Sequence, residues 1–152
     1  MSTPAVYQIQ NALHTLLDAA VASSIFVDRA ANEPVTEAEM PAIVLNPGDQ
    51  VYREFDLSTT EHNGEFQLDI YETKSQSKSI ARKQQETIAL IVAALAADPT
   101  LGGRVQTMEP QSSSSPDANV TDIGAVTLTI RIDYFTPRGD FNTIIGQSGL
   151  FT

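Results

Sequence analysis

Cysteine is missing altogether from this chain of 152 residues. That excludes disulfides, thiolate nucleophiles and cysteine-ligated metal centres together, and it suits a protein kept in a reducing cytoplasm. Basic residues are scarce, nine against nineteen acids for a formal charge of −10. This is the wrong sign for a protein that wraps nucleic-acid phosphates. The opening MSTPAVYQIQ has neither the basic nor the apolar segment of a signal peptide. The longest apolar run, Ile88 to Ala97, is too short to span a bilayer. The expectation is a soluble intracellular product with one core, because a chain this long typically makes a single domain.

What is present is periodic. Ile9, Leu13, Leu16, Leu17, Ala20 and Val21 follow the spacing of an amphipathic helix, with Thr3-Pro4 as cap and first-turn proline. Ile25-Phe26-Val27 reads as a short strand, and the acidic stretch Glu33 to Glu39 as a loop. Pro41 to Leu45 is a buried strand, expected to stop at Asn46-Pro47-Gly48. Val51 to Leu57 and Glu65 to Tyr71 both alternate, so they are expected to form a hairpin turning at Asn63-Gly64. In that reading Val51, Phe55, Leu57, Phe66, Leu68 and Ile70 face the core. Tyr52, Glu54, Asp56, Glu65, Gln67, Asp69 and Tyr71 then make the outer face.

A second helix is predicted from about Ser77 to Ala97, with Ile80, Ile88, Ile91, Val92 and Leu95 inward. A short strand follows over Arg104 to Glu109, then a polar loop over Gln111 to Asn119, too serine-rich to bury. Ala125 to Phe135 is the clearest strand, with Val126, Leu128, Ile130, Ile132 and Tyr134 on one side. The glycine-bearing tail after Thr136 shows no period and is expected to pack poorly on the isolated subunit. The sum is an α+β domain over residues 1–136 with a C-terminal extension over 137–152. Its sheet is mixed and mainly antiparallel, contains a β-hairpin, and carries two helices on one face.

The segment LAADPTLGGRV, Leu95 to Val105, bears on catalysis. Paired glycines can cradle a phosphate, but such loops lead from a strand into a helix N-terminus. Here a helix ends before Asp98-Pro99 and the glycines lead into a strand. The order is that of a structural joint.

Little else suggests chemistry. The two histidines, His14 on the first helix and His62 near the expected turn, lack metal-ligand spacing. No serine sits in a nucleophile-elbow context. Arg138-Gly139-Asp140 spells an adhesion tripeptide, which has no use without secretion. Nothing calls for a metal, nucleotide or covalent cofactor. The charge pattern is more informative. Four of the nine bases are Lys74, Lys78, Arg82 and Lys83, whereas Glu33 to Glu72 holds ten acids and one base, Arg53. The expectation is a heterologous subunit contact in which Glu54, Asp56 and Asp69 meet Lys78, Arg82 and Lys83 of the next copy. Tyr52 and Tyr71 would supply apolar contact beside them.

The segments MPAIVLNPGD (Met40 to Asp49), EFQLDIYET (Glu65 to Thr73), LAADPTLGGRV and AVTLTIRIDYFT (Ala125 to Thr136) follow an N-terminal helix. In that order and spacing the chain resembles the tail terminator proteins of long-tailed bacteriophages over roughly residues 5 to 136. The resemblance implies a virion structural protein without catalytic residues, assembled in the host cytoplasm as a ring, usually a hexamer. Such a ring sits at the head-proximal end of the tail, stops the tail tube protein from polymerising and offers a surface to the head connector. Viral DNA would pass through its lumen without specific binding, and no membrane is involved. Two other readings stand beside it: another neck, head–tail connector or tail-completion protein of similar fold, and a small α+β enzyme.

Overall fold

The computed structural model describes residues 3–27, 35–73, 78–114 and 123–146. In chain order the elements are α1 (Ala5–Asp18), β1 (Ser24–Val27), a short 3-10 turn (Glu37–Glu39), β2 (Ala42–Glu54), β3 (Thr59–Thr73), α2 (Ile80–Ala97), β4 (Thr107–Ser114) and β5 (Ile123–Pro137). The strands form one five-stranded sheet in the order β1-β2-β3-β5-β4. Only β1–β2 is parallel; the other three pairings are antiparallel. The fold is α+β with a mixed, mainly antiparallel sheet.

One core lies between the helices and one face of that sheet. Ile9, Leu13 and Leu17 of α1 and Ile91 and Leu95 of α2 meet Ile43 and Leu45 of β2. The same core takes in Phe66, Leu68 and Ile70 of β3 and Val126 to Ile132, at alternate positions, of β5. The helical period of the first set and the strand period of the second put each apolar series on one side, which joins them into a single dry layer. Val92, expected inward, instead turns out to solvent.

The hairpin differs from its sequence reading. β2 does not stop at Asn46-Pro47-Gly48 but runs on to Glu54, absorbing those residues in a bulge between Pro47 and Gln50. Pro47 pairs with Phe66 and Gln50 with Gly64, so β2 spends one residue more than β3 there. An extra residue inverts the alternation. Beyond the bulge Gln50, Tyr52 and Glu54 lie on the helix side, while Val51, Arg53 and Phe55 lie on the outer side, the reverse of the expectation.

The turn is also displaced. Asn63-Gly64 sits in the middle of β3, opposite Val51 and Gln50 on one side and Asp133 and Ile132 on the other. The chain reverses at Phe55 to Thr59, where the Phe55 N–H donates to the Thr59 carbonyl (3.0 Å). Asp56 Oδ1 accepts from the Ser58 N–H (2.8 Å) and hydroxyl (3.0 Å). An Asx-type bond thus does the work assigned to glycine. Gly64 serves another purpose: its lack of a Cβ leaves room for the end of the Gln50 side chain, whose Nε2 donates to the Gly48 and Glu65 carbonyls.

Three further boundaries move. α2 begins at Ile80 rather than near Ser77, because Ser79 is its N-cap, its hydroxyl accepting from the Arg82 N–H as such caps do. β4 starts at Thr107 rather than Arg104 and continues to Ser114, so the first part of the expected Gln111–Asn119 loop is strand; residues 115–119 lie outside the described residues. It is an edge strand whose last six residues are exposed, so pairing with β5 asks for no apolar side chains there. The extension is not loose either, as far as it is described. The Ile145 N–H donates to the Phe135 carbonyl (2.9 Å), and the Phe141 carbonyl accepts from the Ala5 N–H (2.7 Å) at the start of α1, where a free donor awaits a partner. Residues 147–152 lie outside the described residues.

Candidate interaction surfaces

The Gly102-Gly103 joint is as the residue order implied. Leu101, Gly102 and Gly103 all have positive φ (48°, 69° and 87°), bending the chain from α2 toward β4. A groove of about 800 Å³ opens beside them, shared with Gln8, Arg104, Asn142 and Thr143. Several of its donors are occupied within the chain. The Gly102 N–H donates to Asp98 Oδ1 (3.0 Å), the Gly103 N–H to Thr100 Oγ1 (3.1 Å) and Arg104 Nη1 to the Leu101 carbonyl (2.8 Å). The backbone N–H groups of the two glycines are thus spent inside the joint.

His62 lies in mid-strand, not in a turn, and is buried. Its ring stacks on Tyr134 (centroids 4.4 Å apart) and meets Tyr52 (5.1 Å) and Phe141 (4.5 Å) edge-on. Its Nε2 shares a hydrogen bond with Thr136 Oγ1 (2.8 Å), while Nδ1 has no partner. Desolvation pushes the imidazole down to about pH 4, so near neutrality it is uncharged. Burial likewise raises the Tyr134 phenol above its ordinary range. This is an aromatic joint fastening the extension to the hairpin, with no carboxylate against the imidazole. The signal was in the sequence: counting back by twos from Phe66 reaches Gly64 and His62, on the core face. His14 is a half-buried residue of α1. Among the described residues no group of three His, Asp or Glu side chains is placed to hold a metal ion. No helix among them is long and apolar enough to cross a membrane.

The residues expected to form the subunit contact do not form one patch. Tyr52 and Glu54 stand on the helix side of the overhanging hairpin, where Glu54 reaches Arg138 (3.9 Å). Asp56 is in the turn, and the Ser58 backbone N–H and hydroxyl hold its carboxyl below the usual value. Asp69 and Tyr71 are on the outer face toward the far end of β3, nine residues beyond Tyr52's partner His62 in Tyr71's case, or roughly 30 Å along a strand. Asp69 accepts from Thr127 Oγ1 (2.6 Å). The bases are engaged in cis. Lys78 Nζ (2.8 Å) and Arg82 Nε (3.3 Å) both reach Glu86, whose carboxyl is lowered first by the Lys78 hydrogen bond. Lys83 bonds the buried Glu72 (3.3 Å) and the Thr73 carbonyl (2.7 Å). Lys74 lies outside the described residues.

The middle of the outer face, over β3, β4 and β5, carries a polar, cross-linked network. Asp133 accepts from Asn63 Nδ2 (2.7 Å), Thr107 Oγ1 (2.5 Å) and Arg131 Nε (3.4 Å), tying β3, β4 and β5. Burial opposes its ionisation, but these donors and the Arg131 charge outweigh it and the carboxyl is lowered.

Exposed large apolar side chains concentrate at one end of the molecule. Val51, Tyr52, Phe55 and Leu57 crowd the end of the hairpin, 50, 54, 54 and 84 % exposed, with Phe141 beside them. Phe55 rests on Phe135 (4.7 Å) and Tyr52 on Phe141 (5.0 Å). No protein-family model matches the chain, and no curated protein does.

Proposed function

We propose that the protein is a virion structural subunit, a tail terminator that assembles as a ring at the head-proximal end of a phage tail. There it stops tube polymerisation and offers the surface that joins the head. The observation that carries this reading is the hairpin end. A folded subunit that presents Phe55 and Leu57 on an arm overhanging its own core is built to place them against another protein. The order of the four segments that resemble tail terminators supports the same conclusion. The polar, hydrogen-bonded outer sheet face supplies a wet surface, and the excess of acids suits a conduit that duplex DNA crosses without sticking.

Purified protein viewed by electron microscopy is expected to show closed rings, and protein from infected cells is expected to stay on tails made without heads. Retention on tailless heads instead would assign it to the connector side of the neck. A monomer at every concentration, with no attachment to tails, would remove the reading.

A further inference from the structure

We infer that residues 138–146 form a strap pinned over His62, and that a proton on that imidazole releases the strap while the sheet beneath it stays paired. The inference concerns the folded subunit alone and does not depend on the proposed function. His62 is walled in by three elements. Tyr52 of β2 and Tyr134 of β5 are its partners in the ladder, their rings 5.1 and 4.4 Å away, and Phe141 of the strap closes over it at 4.5 Å. Nε2 shares a hydrogen bond with Thr136 Oγ1. Nδ1 is buried and meets no acceptor. In the cation both nitrogens carry a proton, so the charged ring would hold a donor with neither a partner nor water around it.

No charge compensates. On the same face β3 offers Thr60 and Gly64 beside His62, and β5 and β2 offer the phenols of Tyr134 and Tyr52. Glu54, two residues beyond Tyr52, turns instead to Arg138 at the root of the strap (3.9 Å), and these side chains are 64 and 62 % exposed. Asp140, within the strap, accepts from the Thr143 hydroxyl and the Asn142 N–H, which hold its carboxyl below the usual carboxylate range. Burial accordingly pushes the imidazole down to about 4.

Water can reach the ring by two routes. Parting β3 from β2 or β5 breaks a continuous ladder. Lifting the strap breaks scattered bonds: Arg138 N–H to the Ser58 carbonyl (2.8 Å), Ala5 N–H to the Phe141 carbonyl (2.7 Å) and Gln8 Nε2 to the Asn142 carbonyl (2.6 Å). The bond from the Ile145 N–H to the Phe135 carbonyl belongs to an isolated bridge, and Phe141 is already 40 % exposed. Local opening follows the weaker set of contacts, so acid lifts the strap and bares Tyr52, His62 and the first turn of α1. The sign follows from the two forms. With the strap open the ring takes up its proton near 6.5, with the strap closed near 4, so the open form gains as pH falls between those values.

The donors of the tethers are the probes. Amide hydrogen exchange in the full chain, corrected for the intrinsic rate, is expected to show Ala5, Arg138 and Ile145 losing protection by about 20-fold between pH 7 and pH 5. Amides of the β3–β5 ladder are expected to keep theirs, and Asp140 stays ionised throughout that window. In His62→Asn the loss at the tethers is expected to vanish. Tethers that keep their protection in the parent at pH 5 would overturn the inference, and an imidazole titrating near 6.5 there would show the stacked Tyr134 ring holding the cation in place. Tether and ladder amides that lose protection together would also overturn it, because the whole fold would then be opening. So would a loss at the tethers that persists unchanged in His62→Asn.

Discussion

β2 and β3 are paired along most of their length, yet their two ends live in different surroundings. Under the helices Ile43, Leu45, Phe66, Leu68 and Ile70 are fully buried. Past the bulge at Pro47–Gln50, β2 and the turn that follows it carry Val51, Tyr52, Phe55 and Leu57 half or more exposed. Both ends alternate and both are rich in apolar residues. What separates them is whether a helix lies above, and alternation in a strand says nothing about that. The helix-covered end holds the subunit together; the overhanging end is available to something outside it.

The comparison can be broken first by truncation at each end. Phe66→Ala removes a fully buried ring and is expected to cost about 3–5 kcal/mol, whereas Leu57→Ser is expected to change stability by less than about 0.5 kcal/mol. Urea unfolding of the two variants measures both. Equal losses would mean that the hairpin end is folded into the core after all.

The junction between the two ends is sensitive to acid. His62 titrates near 6.5 in an unfolded chain and at about 4 in the folded one, so the unfolded state binds the proton more readily. Its contribution is intact above pH 6.5 and falls as pH drops from 6.5 through 4, by up to roughly 3 kcal/mol, after which it levels off. His62→Asn is expected to lose that slope even if it is less stable at every pH. A variant with the parent's pH profile would clear His62 of the effect.

Smaller effects sharpen the boundary. Gly64→Ala places a methyl group where the Gln50 side chain lies and displaces the bonds that fix it, at about 1–2 kcal/mol. In a Gln50→Ala background the same change is expected to cost clearly less; additive costs would dismiss the steric account. Ser79→Ala, far from the hairpin, removes the α2 cap for about 1 kcal/mol and is expected to leave any assembly unchanged, read by thermal melting and particle size.

The two helices, the inward series of β5 and the lower half of β3 were legible in the sequence because one period persists there for long enough to identify a face. The upper hairpin was not, for three local reasons. Asn46-Pro47-Gly48 has turn chemistry but is absorbed as a bulge, which then inverts every assignment downstream. Gly64 imitates a turn glycine while its small size serves Gln50. The real turn contains no glycine and depends on Asp56 bonding Ser58. The same inversion separates the residues expected at the subunit contact: Tyr52 and Glu54 lie on the helix side, away from Asp69 and Tyr71. Pairings such as Lys78 with Glu86 and Lys83 with Glu72 depend on where α2 begins and what it packs on, which charge spacing alone does not give.

The sheet order has a consequence for how the protein is made. β5 lies between β3 and β4, and among the described residues β4 has no other strand partner. The first turn of α1 waits for the carbonyl of Phe141. A chain still growing on the ribosome can pair β1, β2 and β3 as it emerges, but it cannot seat β4, finish the sheet or cap its first helix until synthesis has passed residue 141. Folding is therefore completed only once synthesis has passed residue 141, and shorter chains lack the finished edge and the capped helix together. Such chains are poor material for any assembly that counts its subunits, because the step that completes the fold also certifies the copy.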